Sequence, residues 1–268
     1  PPAVPLWDTS RTLPKAADVP VLKGVRMEVI KNRDPEKDGY NWLHGVALAH
    51  WNGRLYASFG LNKGDENTVT EEIGITWSTD EGKSWSEVTI LDAGTEELAV
   101  SHGVFLATDD ALWAFKGAFK GVRKEVHVRA YRLNKGSDQW ESLGVVARDN
   151  YWPMAEPVRM DNGDWLMAGF QVGGSYENKG NPAAVAIAKD NNLMAWEIIT
   201  IPERDGDHMW GESAAIVEGA RVTCIARNVG SDAVALISTS TDYGRTWPAV
   251  TRSNLPMAAS KPYAGTLS

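Results

Sequence analysis

The sequence predicts an all-β fold of the propeller type, made of repeated four-stranded antiparallel blades, and three observations carry that expectation. The octet Ser78-Thr79-Asp80-Glu81-Gly82-Lys83-Ser84-Trp85 returns as Ser240-Thr241-Asp242-Tyr243-Gly244-Arg245-Thr246-Trp247. Tryptophans that follow a polar turn fall at positions 85, 140, 196 and 247, an interval of roughly 55 residues that suits a blade. No stretch places apolar residues at helical spacing over three turns. A sandwich would not repeat its corner sequence at a fixed interval.

Each octet can build a hairpin corner from its own atoms. The Asp accepts hydrogen bonds from the backbone of its turn, Gly takes a conformation that a Cβ opposes, and the Trp ring folds back as an apolar plug. Two decayed copies, Asn134 to Trp140 and Ala188 to Trp196, keep a polar turn followed by Trp, each after an alternating strand. The spacing therefore predicts Trp85, Trp140, Trp196 and Trp247 at equivalent corners of successive blades.

A second ladder runs in phase with these corners: His44-Gly45-Val46, His102-Gly103-Val104, Glu156-Pro157-Val158 and Glu212-Ser213-Ala214. Each leads into an apolar strand, a polar turn such as Asn52-Gly53 or Asn162-Gly163, and a returning strand, which is a hairpin pattern. Blades are expected near 36–90, 91–145, 146–200 and 201–250, in a single domain over 1–268 that stops within a further blade and would number six or seven blades when complete.

A chain of 268 residues is long enough for one large β domain. No apolar run reaches membrane-spanning length, and no signal peptide is visible at Pro1. The opening Pro-Pro-Ala-Val-Pro suits a trimmed mature start or an arm laid across the first blade, and a secreted or periplasmic location is expected. The single Cys224 excludes an internal disulfide and reads as core filler. A net charge of -8 argues against nucleic acid as the main partner. No metal or cofactor is expected.

In a propeller the innermost strand of each blade lines the central channel. His44, His102, Glu156 and Glu212 hold the same place in successive blades and should converge there. Polar groups among apolar strands are costly unless paired or functional. Trp42, Trp152 and Trp210 precede three of the four ladder positions, and the last two are expected to line a sugar site.

The octet resembles the Asp-box of sialidases and other β-propeller proteins with BNR repeats, a structural motif set apart from the catalytic centre. The run Trp210-Gly211-Glu212-Ser213 through Ala226-Arg227-Asn228 to the corner at Ser240 is similar to the sialidase order of Glu, hairpin, Arg and Asp-box. By that resemblance Glu212 supports a tyrosine nucleophile and Arg227 grips a substrate carboxylate, a task suited to the forked guanidinium. The family's general acid would be an Asp in the loop from Gly60 to Glu72, which holds Asp65 and Glu66; Asp65 is the choice. Where the first sialidase arginine would stand the chain has Leu43-His44-Gly45, with Arg26 as the upstream alternative. Glu156 adds a second carboxylate, and Tyr263 and Lys261 stand near the end as nucleophile and carboxylate ligand.

Three functions follow. The first is a sialidase-like exo-glycosidase acting on a terminal acidic sugar of a glycan. The second is a lyase or unusual hydrolase of uronate-bearing glycans, in which His44 or His102 as a neutral imidazole removes a proton. The third is a non-catalytic carbohydrate-binding propeller.

Overall fold

Turn chemistry sets the hairpins. In the computed structural model, which describes residues 5–173 and 180–265, Asn52 and Gly53 both take positive φ, 48° and 75°, between β1 (Trp42–Trp51) and β2 (Arg54–Asn62). That is the turn whose twist matches a two-residue hairpin. β3 (Glu71–Ser78) and β4 (Thr89–Asp92) complete an antiparallel sheet in simple sequential order. The domain span expected over 1–268 includes residues 1–4, 174–179 and 266–268, which lie outside the described residues.

Three more sheets follow. The second is β5 (Leu98–Ala107), β6 (Ala111–Lys120), β7 (Lys124–Asn134) and β8 (Trp140–Ala147). The third is β9 (Tyr151–Pro153), β10 (Val158–Arg159), β11 (Trp165–Gln171), β12 (Ala183–Ala188) and β13 (Glu197–Thr200), with β9 and β10 both paired to β11. The fourth is β14 (Met209–Glu218), β15 (Arg221–Asn228), β16 (Val234–Ser240) and β17 (Thr251–Pro256). Among the described residues, helix is confined to Pro35–Asp38 and a 3-10 turn at Ala16–Asp18. The fold is all-β with antiparallel blades.

The core lies between sheets. Trp51, Tyr56, Phe105 and Tyr131 pack between the first and second; Phe115, Val128, Met167 and Ala186 between the second and third; Leu166, Ile187, Met209 and Leu236 between the third and fourth. All six residues of β12 are buried, as expected of a strand covered on both faces. Each large side chain taken fully from water contributes roughly 1.5–3 kcal/mol. Cys224 is buried among these apolar residues, and burial pushes its thiol up to about 12. It is core filler.

The four Trp corners all join the third strand of a sheet to its fourth. Asp80 accepts from Ser84 N at 2.9 Å and Ser84 Oγ at 2.7 Å, while Ser78 Oγ accepts from Gly82 N at 2.9 Å. Asp242, Thr246, Ser240 and Gly244 repeat this set. The indole N–H of Trp85, Trp196 and Trp247 donates to the carbonyl three residues back at 3.0, 2.9 and 2.8 Å. The decayed corner at Trp196 thus keeps the plug while losing the Asp network.

Most of the opening Pro-Pro-Ala-Val-Pro, residues 1–4, lies outside the described residues. Just after it, the backbone N–H groups of Leu6 and Trp7 donate to Asn254 Oδ1 on β17 at 2.8 and 2.9 Å. After β17, residues 257–265 form no strand.

Candidate active site

Bulges in the innermost strands position the ladder residues. In β1 the register slips between His44 and Ala47, in β5 between Val100 and Gly103, and in β14 between Met209 and Ser213. His44 borders its bulge, and His102 and Glu212 lie inside theirs. A bulge bends the strand and re-aims a side chain, and bulges are common beside active sites. In the third sheet the inner strand is broken outright. Met154 N and Ala155 N both donate to Ala168 O at 2.9 and 3.0 Å, which leaves Glu156 exposed in the gap before Pro157.

The two histidines meet. Their ring centroids are 4.6 Å apart at 66°, an edge contact between the first and second sheets. Gly45 allows it: its φ is +65°, and a Cβ there would lie 2.1 Å from His102 Cγ. Trp152 continues the stack at 5.1 Å from the His102 ring and donates from Nε1 to His102 O at 3.1 Å.

Electrostatics separate the pair. His44 lies between two carboxylates, with Nδ1 3.1 Å from Glu66 Oε1 and Nε2 2.8 Å from Glu71 Oε1. Burial lowers its pKa, but the bonds and charges of Glu66 and Glu71 outweigh it and raise the group to about 9. His102 is pushed well below the ordinary value, first by burial and then by the charges of His44, Lys261 and Lys116. At neutral pH, His102 is therefore the neutral imidazole, and His44 is not. The bond from His44 also holds the Glu66 carboxyl below its usual range.

Glu71 is the unexpected member. It is fully buried, accepts from Ser101 Oγ as well as from His44, and joins both histidines because Ser101 Oγ lies 3.0 Å from His102 Nδ1. The acidic pair Glu71-Glu72 that opens β3 is the one sign of it in the sequence.

A cavity of about 290 Å³ opens beside this cluster. Glu66, His102, Glu212 and Arg227 line it, with Trp152 and Trp210 among its walls. Arg227 Nη1 donates to Glu212 Oε2 at 2.7 Å between adjacent strands. The guanidinium of Arg123, on the β6–β7 turn, sits 4.8 Å from the Trp210 ring, and that of Arg227 sits 5.9 Å from it. Arg123 is buried and reaches the cavity, and no motif in the sequence marks it.

The other expected residues fall outside this cavity. Asp65 is exposed, and its neighbour Glu66 is the loop acid that lines the space. Glu156 and Tyr263 share a separate depression with Ile216, and Tyr263 is 81% exposed. Lys261 lines a groove along β1 and β5 with the same two residues. Arg26 is exposed and lies 4.0 Å from Glu28. No tyrosine lines the cavity among the described residues.

Fold and site together define a protein of the BNR-repeat class. Residues 103–268 match the family described as BNR repeat-like domain, and the chain belongs to it. No curated protein matches the sequence. Among solved structures it is similar to the Hadza microbial sialidase Hz136, with TM-score 0.62 and 16% identity over 82% of this chain and 48% of that one. The NanB sialidase from Streptococcus pneumoniae gives TM-score 0.59 and 10% identity over 88% of this chain and 55% of that one. The GH43 endo-arabinanase from Bacillus licheniformis gives 0.51 and 12% over 78% and 75%. The chain spans about half the length of the two sialidases. The shared fold is of the glycoside hydrolase type. No helix among the described residues is long and apolar enough to cross a membrane.

Proposed function

We propose that the protein is a glycoside hydrolase of the sialidase-like type, acting on a terminal acidic sugar of a glycan outside the cytoplasm. The observation that carries this reading is the pair of guanidiniums, Arg123 and Arg227, set against Trp210 in one cavity with Glu212. Two fixed cations suit a sugar carboxylate, which guanidinium grips in bidentate fashion. Trp210 supplies apolar surface beside the sugar, and the buried Trp152 backs the cavity wall. Glu212 orients Arg227 through its 2.7 Å bond. With no tyrosine among the described residues that line the cavity, Glu66 and Glu212 are the carboxylates that serve hydrolysis. The glycosidic C–O bond breaks, water adds to the anomeric carbon, and the leaving oxygen takes a proton.

A second reading is favoured by the imidazole of His102, which lines the same cavity. In a uronate-directed lyase it would take the C5 proton while Arg227 and Arg123 neutralise the carboxylate. The C4–O bond then breaks and a C4–C5 double bond forms. Incubation with a fluorogenic sialoside, with glucuronate-terminated oligosaccharides and with oligosaccharides whose glucuronate carries a sugar on its O4 separates the readings. Fluorophore or free sugar release supports hydrolysis; a new near-ultraviolet absorbance supports elimination. Neither signal, in the presence of saturable sugar binding, would leave a carbohydrate-binding propeller.

A further inference from the structure

We propose that His44, Glu71 and His102 form a binding site for one divalent transition-metal ion, with zinc the ion that best suits the donor set. The proposal does not rest on which acidic sugar the cavity takes. The three residues come from β1, β3 and β5, and each offers a ligand atom within 4.8 Å of the others. Two imidazole nitrogens and one carboxylate oxygen are a known catalytic zinc set. Calcium and magnesium prefer all-oxygen cages, so the nitrogen donors select against them.

Glu71 supplies the strongest sign. Its side chain is fully buried, and its Oε2 has no hydrogen-bond partner among the described residues. A buried carboxylate oxygen left bare is costly, and a cation beside it removes the cost. Neither Lys nor Arg is paired with Glu71 among the described residues; the neighbours that reach it are His44 and Ser101.

The surroundings are also those of a metal site. Ligating histidines commonly donate their second ring nitrogen to a carboxylate or another acceptor, which fixes the tautomer and ring orientation. Glu66 is placed to accept from His44 Nδ1 at 3.1 Å, and Ser101 Oγ lies 3.0 Å from His102 Nδ1. His44 Nε2 lies 2.8 Å from Glu71 Oε1, and an ion bound between them would displace the proton held there, so each imidazole would keep one nitrogen on its outer partner and give the other to the ion. Zinc bonds of about 2.0–2.2 Å require the three side chains to draw in by roughly 1 Å, which side-chain rotation can supply. The space for this is kept by glycine: a Cβ on Gly60 would lie 2.4 Å from Glu71 Oε1, and one on Gly45 would lie 2.1 Å from His102 Cγ. Three protein ligands leave a coordination position open, and His102 also faces the cavity. A bound ion would occupy His102 as a ligand and remove it as a base, so the metal site and the lyase reading exclude each other.

The test is calorimetric titration of the full, tag-free chain with zinc chloride after chelator treatment and dialysis. One saturable equivalent is expected. Glu71→Gln and His102→Ala should each weaken binding by at least tenfold, and Glu66→Gln by about tenfold through the outer shell. His127→Ala, on the far strand β7, should bind as the parent does. Circular dichroism establishes that each variant is folded. Should the buried Glu71→Gln chain fail to fold, Glu66→Gln and the visible spectrum of the cobalt-substituted parent against His44→Gln decide between the same two outcomes. Absence of a saturable equivalent, or unchanged affinity in Glu66→Gln together with Glu71→Gln or His44→Gln, overturns the site. Binding lost instead in His127→Ala would assign the ion to the surface.

Discussion

Arg227 donates to Glu212 across 2.7 Å at the place where the register of β14 against β15 slips, so the bulge that weakens the ladder is the feature that aims both side chains into the cavity. Bonds to charged groups of this kind are worth about 1.5–3 kcal/mol. Arg227→Ala is therefore expected to raise KM for an acidic sugar by about 10–100-fold while kcat changes less. Arg227→Lys should recover only part of the loss, because a point charge cannot replace a fork. Steady-state kinetics on the substrate found by the sugar screen checks this; an unchanged KM in both variants would remove Arg227 from the site.

The loop between β2 and β3 offers two adjacent acids, and only Glu66 lines the cavity. Glu66→Gln should lower kcat/KM by roughly 10²–10⁴-fold, the range for loss of a proton-transfer group. Asp65→Asn should leave it within twofold of the parent, as suits an exposed residue away from the cavity. The reverse order of effects would return the catalytic role to Asp65.

Lys116 is fully buried, donates to Ser58 Oγ at 2.5 Å and lies 4.4 Å over the Phe105 ring. Burial, helped by the charge of Lys261, lowers its pKa from 10.5 to about 7. Between those values the unfolded chain holds a proton that the folded one lacks, so stability rises with pH across this window. The penalty is fully present below pH 7 and is on the order of 5 kcal/mol. Lys116→Met should flatten the rise of Tm between pH 7 and 10 and raise Tm at pH 7. A parent whose Tm does not change with pH in this window would contradict the assignment.

The two Asp-boxes differ in their basic residue, Lys83 against Arg245. Arg245 spans to the third sheet, donating to Glu197 at 2.7 Å and Asp164 at 3.0 Å. Arg245→Ala is expected to destabilise by about 1 kcal/mol in denaturant unfolding, and Lys83→Ala by less than half of that. Equal effects would mean that the cross-sheet bonds contribute nothing measurable.

Both boxes should resist acid. Hydrogen bonds to the Asp80 and Asp242 carboxylates, led by Ser84 in the first box and Ser240 in the second, hold each at about 2. Their stabilisation is complete above the unfolded carboxylate range near pH 4 and is lost as pH falls through about 2. Asp80→Asn should unfold at the same low pH as the parent or higher, measured by tryptophan fluorescence; unfolding at a lower pH would count against the carboxylate network.

What could be read in the sequence was what is local or in phase. An Asp-box closes its bonds within eight residues, so its text alone states its structure. Glu212 and Arg227 were legible because one hairpin separates them, and His44 and His102 because they hold one phase in successive blades. Arg123, Glu66 and Glu71 were not. The buried acid on β3 breaks the apolar pattern and makes sense only beside His44 from another strand. The choice of Glu66 over Asp65 depends on which way a loop side chain faces. The broken inner strand of the third sheet, with Pro157 unable to donate, took Glu156 away from the ladder, and the irregular run after β17 carried Tyr263 to a different depression.

The bulges make the site replaceable. His102 and Glu212 sit in stretches that the regular pairing of strands skips, with Val100 and Gly103 resuming the ladder around one and Met209 and Ser213 around the other. Exchanging a side chain in such a stretch alters what the blade presents to a ligand and leaves the flanking backbone pairing in place. Specificity can thus drift, under selection or in a combinatorial library restricted to these positions, without the scaffold having to be re-evolved each time.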